Sequence, residues 1–216
     1  MNKCFVVGAG DFYGLLIQPE KGDLVIAADG GYDHLKREKV EPDIVVGDFD
    51  SRDGNIPDHP NVIMLDVQKD DTDIAHAVGI GFERGYRDFR IFGGTGGRES
   101  HTIANIQMLT GLSKKGARAW LYGRDSVMTV IHDDKLVLPD SAEGMVSVLS
   151  LSDRSEGVDI LGMKYTMNDG VMTNDTALGV SNMLIGKEAQ ISVKKGTLLI
   201  IHESHEREWS RDNRKG

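Results

Sequence analysis

The sequence predicts two domains of different class, an α/β domain with a Rossmann-like, mainly parallel sheet and an antiparallel β-sandwich or half-barrel after it. As far as residue 124, short apolar runs alternate with segments of helical periodicity. From about residue 126, short apolar runs follow one another without long helices. The first pattern is typical of a sheet covered by helices, and the second of antiparallel strands. The predicted domains are therefore 1–124 and 125–204, followed by a charged tail over 205–216.

The strands predicted in the first domain are buried apolar runs that end in Gly, Asp or both. They span residues 4–7, 24–28, 44–46, 62–65 and 89–92. Apolar residues at helical spacing predict helices over 31–39, 72–84 and 100–112. In the middle helix, Ile74, Ala77, Val78 and Gly81 share one face, so this face is expected to pack on the sheet.

The strands predicted in the second domain are separated by turn sequences such as Asn168-Asp169-Gly170 and Lys194-Lys195-Gly196. They span residues 127–132, 145–151, 157–161, 170–173, 189–193 and 197–202. Strands joined by such turns favour an antiparallel sheet, because parallel strands need long crossover connections.

Composition argues against several classes of protein. The formal net charge of −9 disfavours a nucleic-acid partner, since phosphate neutralisation requires clustered Lys and Arg. No apolar stretch is long enough to cross a bilayer, and the N-terminus lacks a signal-peptide cleavage pattern. Cys4 is the only cysteine, which excludes an internal disulfide and a cysteine-rich zinc site. A cytoplasmic protein that binds neither nucleic acid nor membrane is expected.

Aspartates are clustered after three of the predicted strands. They are Asp29, Asp48, Asp50, Asp70, Asp71 and Asp73. Since the carboxyl ends of parallel strands meet at one edge of a sheet, these side chains are expected to share a cleft. Carboxylates gathered in this way repel one another unless a cation lies among them, and Mg²⁺ prefers oxygen ligands and bridges to phosphates. The alternative for a single cluster is a helix cap or a turn, and Asp70 or Asp71 could cap the helix that begins near Thr72.

A glycine-rich turn over residues 92–98 joins a predicted strand to a predicted helix. Glycines let backbone N–H groups approach a polyphosphate, and a helix N-terminus favours negative charge. Arg98 can add a bidentate phosphate contact. His101 and Asn105 follow on one helix face, where the alternative for a lone His is a cap or packing residue. The alternative for the turn itself is a purely structural loop.

The earlier glycine segment, residues 8–10, is weaker evidence for a nucleotide site. The next glycine is Gly14, so the spacing G-x-G-x-x-G is missed by one residue. An enzyme that uses nicotinamide dinucleotides is therefore disfavoured.

Taken together, these segments resemble the thiamine pyrophosphokinase family. The matching segments are residues 28–31, 42–51, 70–73, 96–98 with His101, Ala104 and Asn105, then 179–182, 186–189 and 191–193. The order and spacing of the motifs make the set more specific than any one of them. The resemblance covers the chain from about Val6 to Ile201.

The resemblance implies an enzyme that moves a pyrophosphoryl group from ATP to thiamine, with Mg²⁺, in a homodimer whose active sites lie at the subunit interface. The implied magnesium ligands are Asp48, Asp50 and Asp73. The implied catalytic residues are Asp70, Asp73, Arg98 and His101, where Asp70 either assists metal binding or orients the thiamine hydroxyl. The implied nucleotide-binding residues are Asp29, Gly30, Gly31, Gly96, Gly97, Arg98 and Asn105. Ser181 and Asn182 would hydrogen-bond the aminopyrimidine.

One residue departs from the family pattern, because Ser100 stands where the family has Asp. Serine can cap a helix but cannot neutralise a cation, and Glu99 is turned from this direction by about 100° around the helix. Two other functions therefore stay open. The acidic clusters alone fit a magnesium-dependent phosphohydrolase of nucleotides or phosphate esters, and Ser100 motivates a non-catalytic nucleotide- or vitamin-binding protein.

Overall fold

The computed structural model describes residues 2–49, 57–66 and 71–203. Asp50, Asp70 and the charged tail over 205–216 lie outside the described residues. The chain divides into two compact units, Met1–Arg124 and Asp125–Gly216.

Within its described residues, the first unit alternates six parallel strands with three helices. The strands are β1 (Cys4–Val7), β2 (Leu24–Ala28), β3 (Ile44–Gly47), β4 (Val62–Met64), β5 (Asp88–Phe92) and β6 (Arg118–Tyr122). The helices are α1 (Gly31–Arg37), α2 (Asp73–Glu83) and α3 (Glu99–Lys114). The strand order is β6-β5-β1-β2-β3-β4, and every pair is parallel. The predicted α/β fold with a parallel sheet is confirmed.

The core of this unit follows from strands that are apolar along their whole length. Every residue of β1, β2 and β3 is buried, as expected for parallel strands covered on both faces. Helix α2 buries Ile74, Ala77, Val78 and Gly81, which confirms the predicted face.

Two strands of the first unit differ from the prediction. The run over 62–65 was expected to be buried, but β4 ends the strand order and leaves Ile63 38% and Met64 54% exposed. Strand β6 was not predicted, although Trp120 and Tyr122 are each only 2% exposed. A short apolar run directly after a helix has no period of its own, so only its pairing with β5 identifies it as a strand.

Over its described residues, 125–203, the second unit contains two antiparallel sheets, as predicted for this part of the chain. Its strands are β7 (Ser126–His132), β8 (Lys135–Leu138), β9 (Met145–Ser150), β10 (Ser155–Leu161), β11 (Met167–Met172), β12 (Gly179–Met183), β13 (Ala189–Ser192) and β14 (Thr197–Glu203). One sheet has the order β12-β9-β14-β7 and the other β11-β10-β13-β8. Strands β8 and β12 were not predicted as strands.

Small residues lie at two points where the sheets of this unit meet. The hydroxyls of Ser150 on β9 and Ser155 on β10 are hydrogen-bonded at 2.8 Å. A Cβ atom at Gly179 on β12 would lie 3.0 Å from the terminal carbon of Met172 on β11. The short side chains therefore allow the sheets to approach closely. None of the helices in the described part of the chain is both long and apolar enough to cross a membrane.

Candidate active site

The candidate site lies where the strand order of the first unit reverses direction. Strand β1 pairs with β2 on one side and with β5 on the other, so the connections that leave β1 and β5 diverge. A crevice forms at such a point, outside the carboxyl ends of the strands. The cleft found here has a volume of about 680 Å³. It is lined by residues 9–10, 28–29, 48, 71–74, 93–98, 101 and 105.

Two glycine segments, residues 8–10 after β1 and residues 93–97 after β5, form one wall of the cleft. Their backbones are joined by hydrogen bonds in which Gly8 donates to Phe92 at 2.8 Å, Gly10 to Gly93 at 2.8 Å and Asp11 to Thr95 at 2.9 Å. Gly93 has a φ of 62°, and a Cβ atom there would overlap the carbonyl oxygen of Gly8. Glycine is therefore required where the two segments meet.

The acidic wall of the cleft carries three of the predicted aspartates. Asp29 follows β2, Asp48 follows β3, and Asp73 begins α2. The amide of Asp29 donates to the carbonyl oxygen of Val46 at 2.7 Å, which continues the pairing of β2 with β3 up to the cleft. Phe49, which follows Asp48, is 1% exposed and packs into the core. The sheet thus brings together carboxylates that are far apart in the sequence.

The cap of α2 is supplied by Thr72. Its hydroxyl accepts a hydrogen bond from the amide of Ala75 at 3.2 Å. The suggested cap by Asp71 is therefore wrong, while Asp70 lies outside the described residues. Asp71 lines the cleft instead.

The oxygen ligands that the cleft offers, and their number, fit a magnesium ion. Asp48 and Asp73, two of the predicted ligands, line the same cleft, and Asp50 lies outside the described residues. Within the described ranges, no three His, Cys, Asp or Glu side chains form a group that could hold a metal ion by themselves. Mg²⁺ commonly uses only one or two carboxylates and completes its shell with water and substrate phosphates, so this donor set fits the ion. The assignment of the three ligands stays a prediction.

Helix α3 contributes Arg98, His101 and Asn105 to the cleft. Arg98 is exposed at the cap position, and His101 is exposed in the first turn. Asn105 is 2% exposed, and its Nδ2 donates to the carbonyl oxygen of Gly94 at 2.7 Å. Its Oδ1 has no hydrogen-bond partner among the described residues. The predicted shared face of His101 and Asn105 is confirmed.

Gly30 and Gly31 have a packing role in the structure. Gly30 is the cap residue of α1, and Gly31 is its first residue. A Cβ atom at Gly31 would overlap the carbonyl oxygen of Val7 at the end of β1. The glycine pair therefore lets α1 begin directly against β1, and the predicted contact with a nucleotide stays a prediction.

Ser181 and Asn182 lie on β12 in the second unit. The Oδ1 atom of Asn182 accepts from the amides of Tyr165 and Met183 at 2.9 Å each, and its Nδ2 donates to the carbonyl oxygen of Tyr165 at 2.6 Å. Ser181 is exposed with a φ of 58°, and its amide donates to the hydroxyl of Ser147 at 3.1 Å. Asn182 therefore holds the local backbone together, and the predicted hydrogen bonds to an aminopyrimidine stay untested.

Sequence reasoning missed several lining residues, above all Ala9 and Gly10. The segment over 8–10 was given little weight because its glycine spacing does not fit a dinucleotide motif. Its position directly after a buried strand was the available signal. That signal becomes decisive only once β1 is known to lie beside β5.

Comparison with known proteins matches most of the chain to one family. The family model "Thiamin pyrophosphokinase, catalytic domain" matches residues 18–121, and "Thiamin pyrophosphokinase, vitamin B1 binding domain" matches residues 135–198. A thiamine pyrophosphokinase of Bacillus subtilis is 27% identical over 187 residues, which cover 84% of this chain and 87% of the relative.

Solved structures of similar proteins share the fold. The crystal structure of thiamine pyrophosphokinase from Bacillus subtilis matches with a TM-score of 0.82 and 25% sequence identity. The match covers 95% of this chain and 100% of the Bacillus subtilis chain. The crystal structure of thiamin pyrophosphokinase from Geobacillus thermodenitrificans matches with a TM-score of 0.82 and 24% sequence identity. The match covers 95% of this chain and 99% of the Geobacillus chain.

The first unit has an acidic, glycine-lined cleft where its strand order reverses, and an antiparallel β unit follows it in the chain. Together with these matches, the two features define a transferase of the pyrophosphokinase class. The chain belongs to the thiamine pyrophosphokinase family.

Proposed function

We propose that this protein transfers a pyrophosphoryl group from ATP to the hydroxyethyl oxygen of thiamine, giving thiamine diphosphate and AMP. The observation that carries the proposal is the cleft in which Asp29, Asp48 and Asp73 share a volume with the glycine segment over 93–97. Transfer of this kind requires positioning and charge neutralisation more than covalent catalysis, and the two walls of the cleft are suited to these tasks.

The glycine wall is suited to a triphosphate. Backbone N–H groups of residues 93–97 and the N-terminus of the 16-residue helix α3 favour negative charge. Arg98, exposed at that N-terminus, can form a bidentate contact with phosphate oxygens. The unpartnered Oδ1 of Asn105 can accept a hydrogen bond from the ligand, while Nδ2 keeps the turn in place.

The acidic wall is suited to magnesium. Asp48 and Asp73, with Asp50 as a predicted third ligand, would hold the ion, which supplies charge neutralisation between carboxylates and phosphates. In the proposed reaction the thiamine hydroxyl oxygen attacks the β-phosphorus and loses its proton. The bond from the β-phosphorus to the oxygen shared with the α-phosphate breaks, and AMP leaves.

The second unit supplies the acceptor site in this proposal. Its match to the vitamin B1 binding domain supports thiamine as the acceptor, with Ser181 and Asn182 as predicted contacts. The proposed assembly is a homodimer with active sites at the subunit interface. Exposed apolar side chains on and near β12 support a covering partner; they are Tyr165, Leu178, Val180, Met183 and Ile185.

Ser100 favours a second candidate, a non-catalytic binder of nucleotide or vitamin. It is exposed in the first turn of α3, where the family has a carboxylate that this chain lacks. Hydrolysis of a nucleotide or phosphate ester is the third candidate, because the acidic wall alone would serve it equally well.

A single assay of the purified protein with ATP, Mg²⁺ and thiamine separates the three candidates. AMP together with thiamine diphosphate supports the transferase. ADP or free phosphate without thiamine diphosphate would replace it by a hydrolase. Binding of ATP or thiamine with no turnover would replace it by a binding protein. Omitting thiamine is the control, since AMP release should then stop.

A further inference from the structure

The imidazole of His34, on helix α1, has a defined partner at each ring nitrogen. Its Nε2 lies 3.2 Å from the carbonyl oxygen of Gly10, and its Nδ1 lies 2.5 Å from a guanidinium nitrogen of Arg37. The ring is stacked on Phe12, with centroids 4.7 Å apart and an interplanar angle of 16°. His34 therefore links α1 to the segment that leaves β1.

These two partners determine the tautomer of His34. A carbonyl oxygen can only accept a hydrogen bond, so Nε2 carries the proton and donates to Gly10. A guanidinium group can only donate, so Nδ1 is unprotonated and accepts from Arg37. The ring is thus neutral, and no other protonation state keeps both hydrogen bonds.

The carbonyl that His34 binds belongs to the glycine wall of the cleft. Gly10 lines the cleft, and its own amide donates to the carbonyl oxygen of Gly93 at 2.8 Å. Gly10 is therefore held from both sides, by α1 through its oxygen and by the second glycine segment through its nitrogen. Displacement of its carbonyl would disturb the backbone of both segments.

We propose that His34 is a positioning residue for the nucleotide: by donating its Nε2 proton to Gly10 it holds the glycine wall in the geometry that binds the polyphosphate. This role rests on the proposed ATP site. His34 does not line the cleft and acts through Gly10.

The electrostatic surroundings agree with a neutral ring. Burial lowers the pKa of His34 and Arg37 lowers it further, whereas hydrogen bonds to the carbonyls of Gly10 and Ala9 and the charge of Asp33 act in the opposite direction. The charged groups that act on the ring, Arg37 and Asp33, both lie on α1, and residues 9 and 10 present only backbone oxygens to it.

The test compares three variants of the full-length protein. His34→Phe keeps an aromatic ring against Phe12 but removes both hydrogen bonds. His34→Gln restores a donor near the Nε2 position. Arg37→Met is the matched control, because it removes the partner of Nδ1 and leaves the bond to Gly10.

The expected result is a KM for ATP raised about five- to tenfold in His34→Phe, the worth of one net hydrogen bond, with kcat changed less than about twofold. His34→Gln should recover most of the affinity, and Arg37→Met should leave KM near that of the unaltered protein. Amide exchange at Gly10 should accelerate in His34→Phe alone. The ¹⁵N shifts of the His34 ring should show a protonated Nε2 and an unprotonated Nδ1.

An unchanged KM in His34→Phe, an equal effect of Arg37→Met, or a protonated Nδ1 would overturn the proposal. If the unaltered protein releases no AMP, the proposed function fails instead. Calorimetric titration of the variants with ATP and the Gly10 exchange rate then decide the role of His34 by themselves.

Discussion

The side-chain amide of Asn105 donates to the carbonyl oxygen of Gly94 at 2.7 Å, which ties helix α3 to the glycine segment that precedes it. Asn105 is buried, so this bond forms away from solvent. This bond restrains the segment that follows β5. Such preorganisation lowers the ordering cost of binding.

Replacing Asn105 by Asp should destabilise the protein by about 1–3 kcal/mol, because a carboxylate cannot donate to Gly94 and leaves a buried carbonyl unsatisfied. The KM for ATP should rise as well. Urea denaturation and steady-state kinetics measure the two effects. Gln107→Glu, the same change at an exposed position of α3, is the control. Equal stability of the two variants would show that the bond to Gly94 contributes nothing.

Replacing Asp48 or Asp73 by Asn should reduce kcat on the order of 100-fold or more while preserving the fold, since each change removes a charge at nearly constant volume. The Mg²⁺ concentration needed for half-maximal activity should also rise. Circular dichroism and a magnesium titration measure these outcomes. Asp140→Asn, at an exposed turn of the second unit, should behave as the unaltered protein. Normal magnesium dependence in both cleft variants would remove these residues from the metal site.

Replacing Ser100 by Asp should preserve or raise turnover, because it restores the carboxylate of the family pattern beside the cleft. The helix should also gain a few tenths of a kcal/mol, since a negative charge in the first turn of α3 complements the helix dipole. Ser113→Asp, near the other end of α3, should slightly lower stability and leave turnover alone. A large loss of activity in Ser100→Asp would instead show that Ser100 belongs to a rearranged site.

Stability should fall as the pH drops below about 6.5, through His34 and His202. Burial lowers the pKa of both side chains from 6.5, so the unfolded chain takes up protons at a higher pH than the folded protein. The folded state is therefore destabilised progressively as the pH falls through the pKa that these side chains have in the unfolded chain. Urea midpoints measured between pH 5 and pH 8 should show this slope, and His202→Gln should reduce it. A slope unchanged by this substitution would remove His202 from the effect.

The predicted elements of the first unit owe their success to local pattern. Continuous apolar runs that end at Gly or Asp identified β1 and β2, and helical spacing identified the buried face of α2. The same local logic placed Asp29 and Asp48 directly after strands and Asp73 in the segment that leads into α2. The prediction was poorer where burial depends on neighbours, as for β4 at the edge of the sheet and for the short strand β6.

The sequence by itself determined the helices and most of the strands, which carboxylates follow strands, and to which family the motifs are similar. Each of these depends on residues close together in the chain. Only the tertiary structure decided that β1 lies beside β5. This pairing allows Gly10 to form hydrogen bonds with both Gly93 and His34. The tertiary structure also decided that the side chain of Asn182 forms hydrogen bonds with the backbone of Tyr165. Strand order and hydrogen-bond partners arise from packing between distant segments, which no local period records.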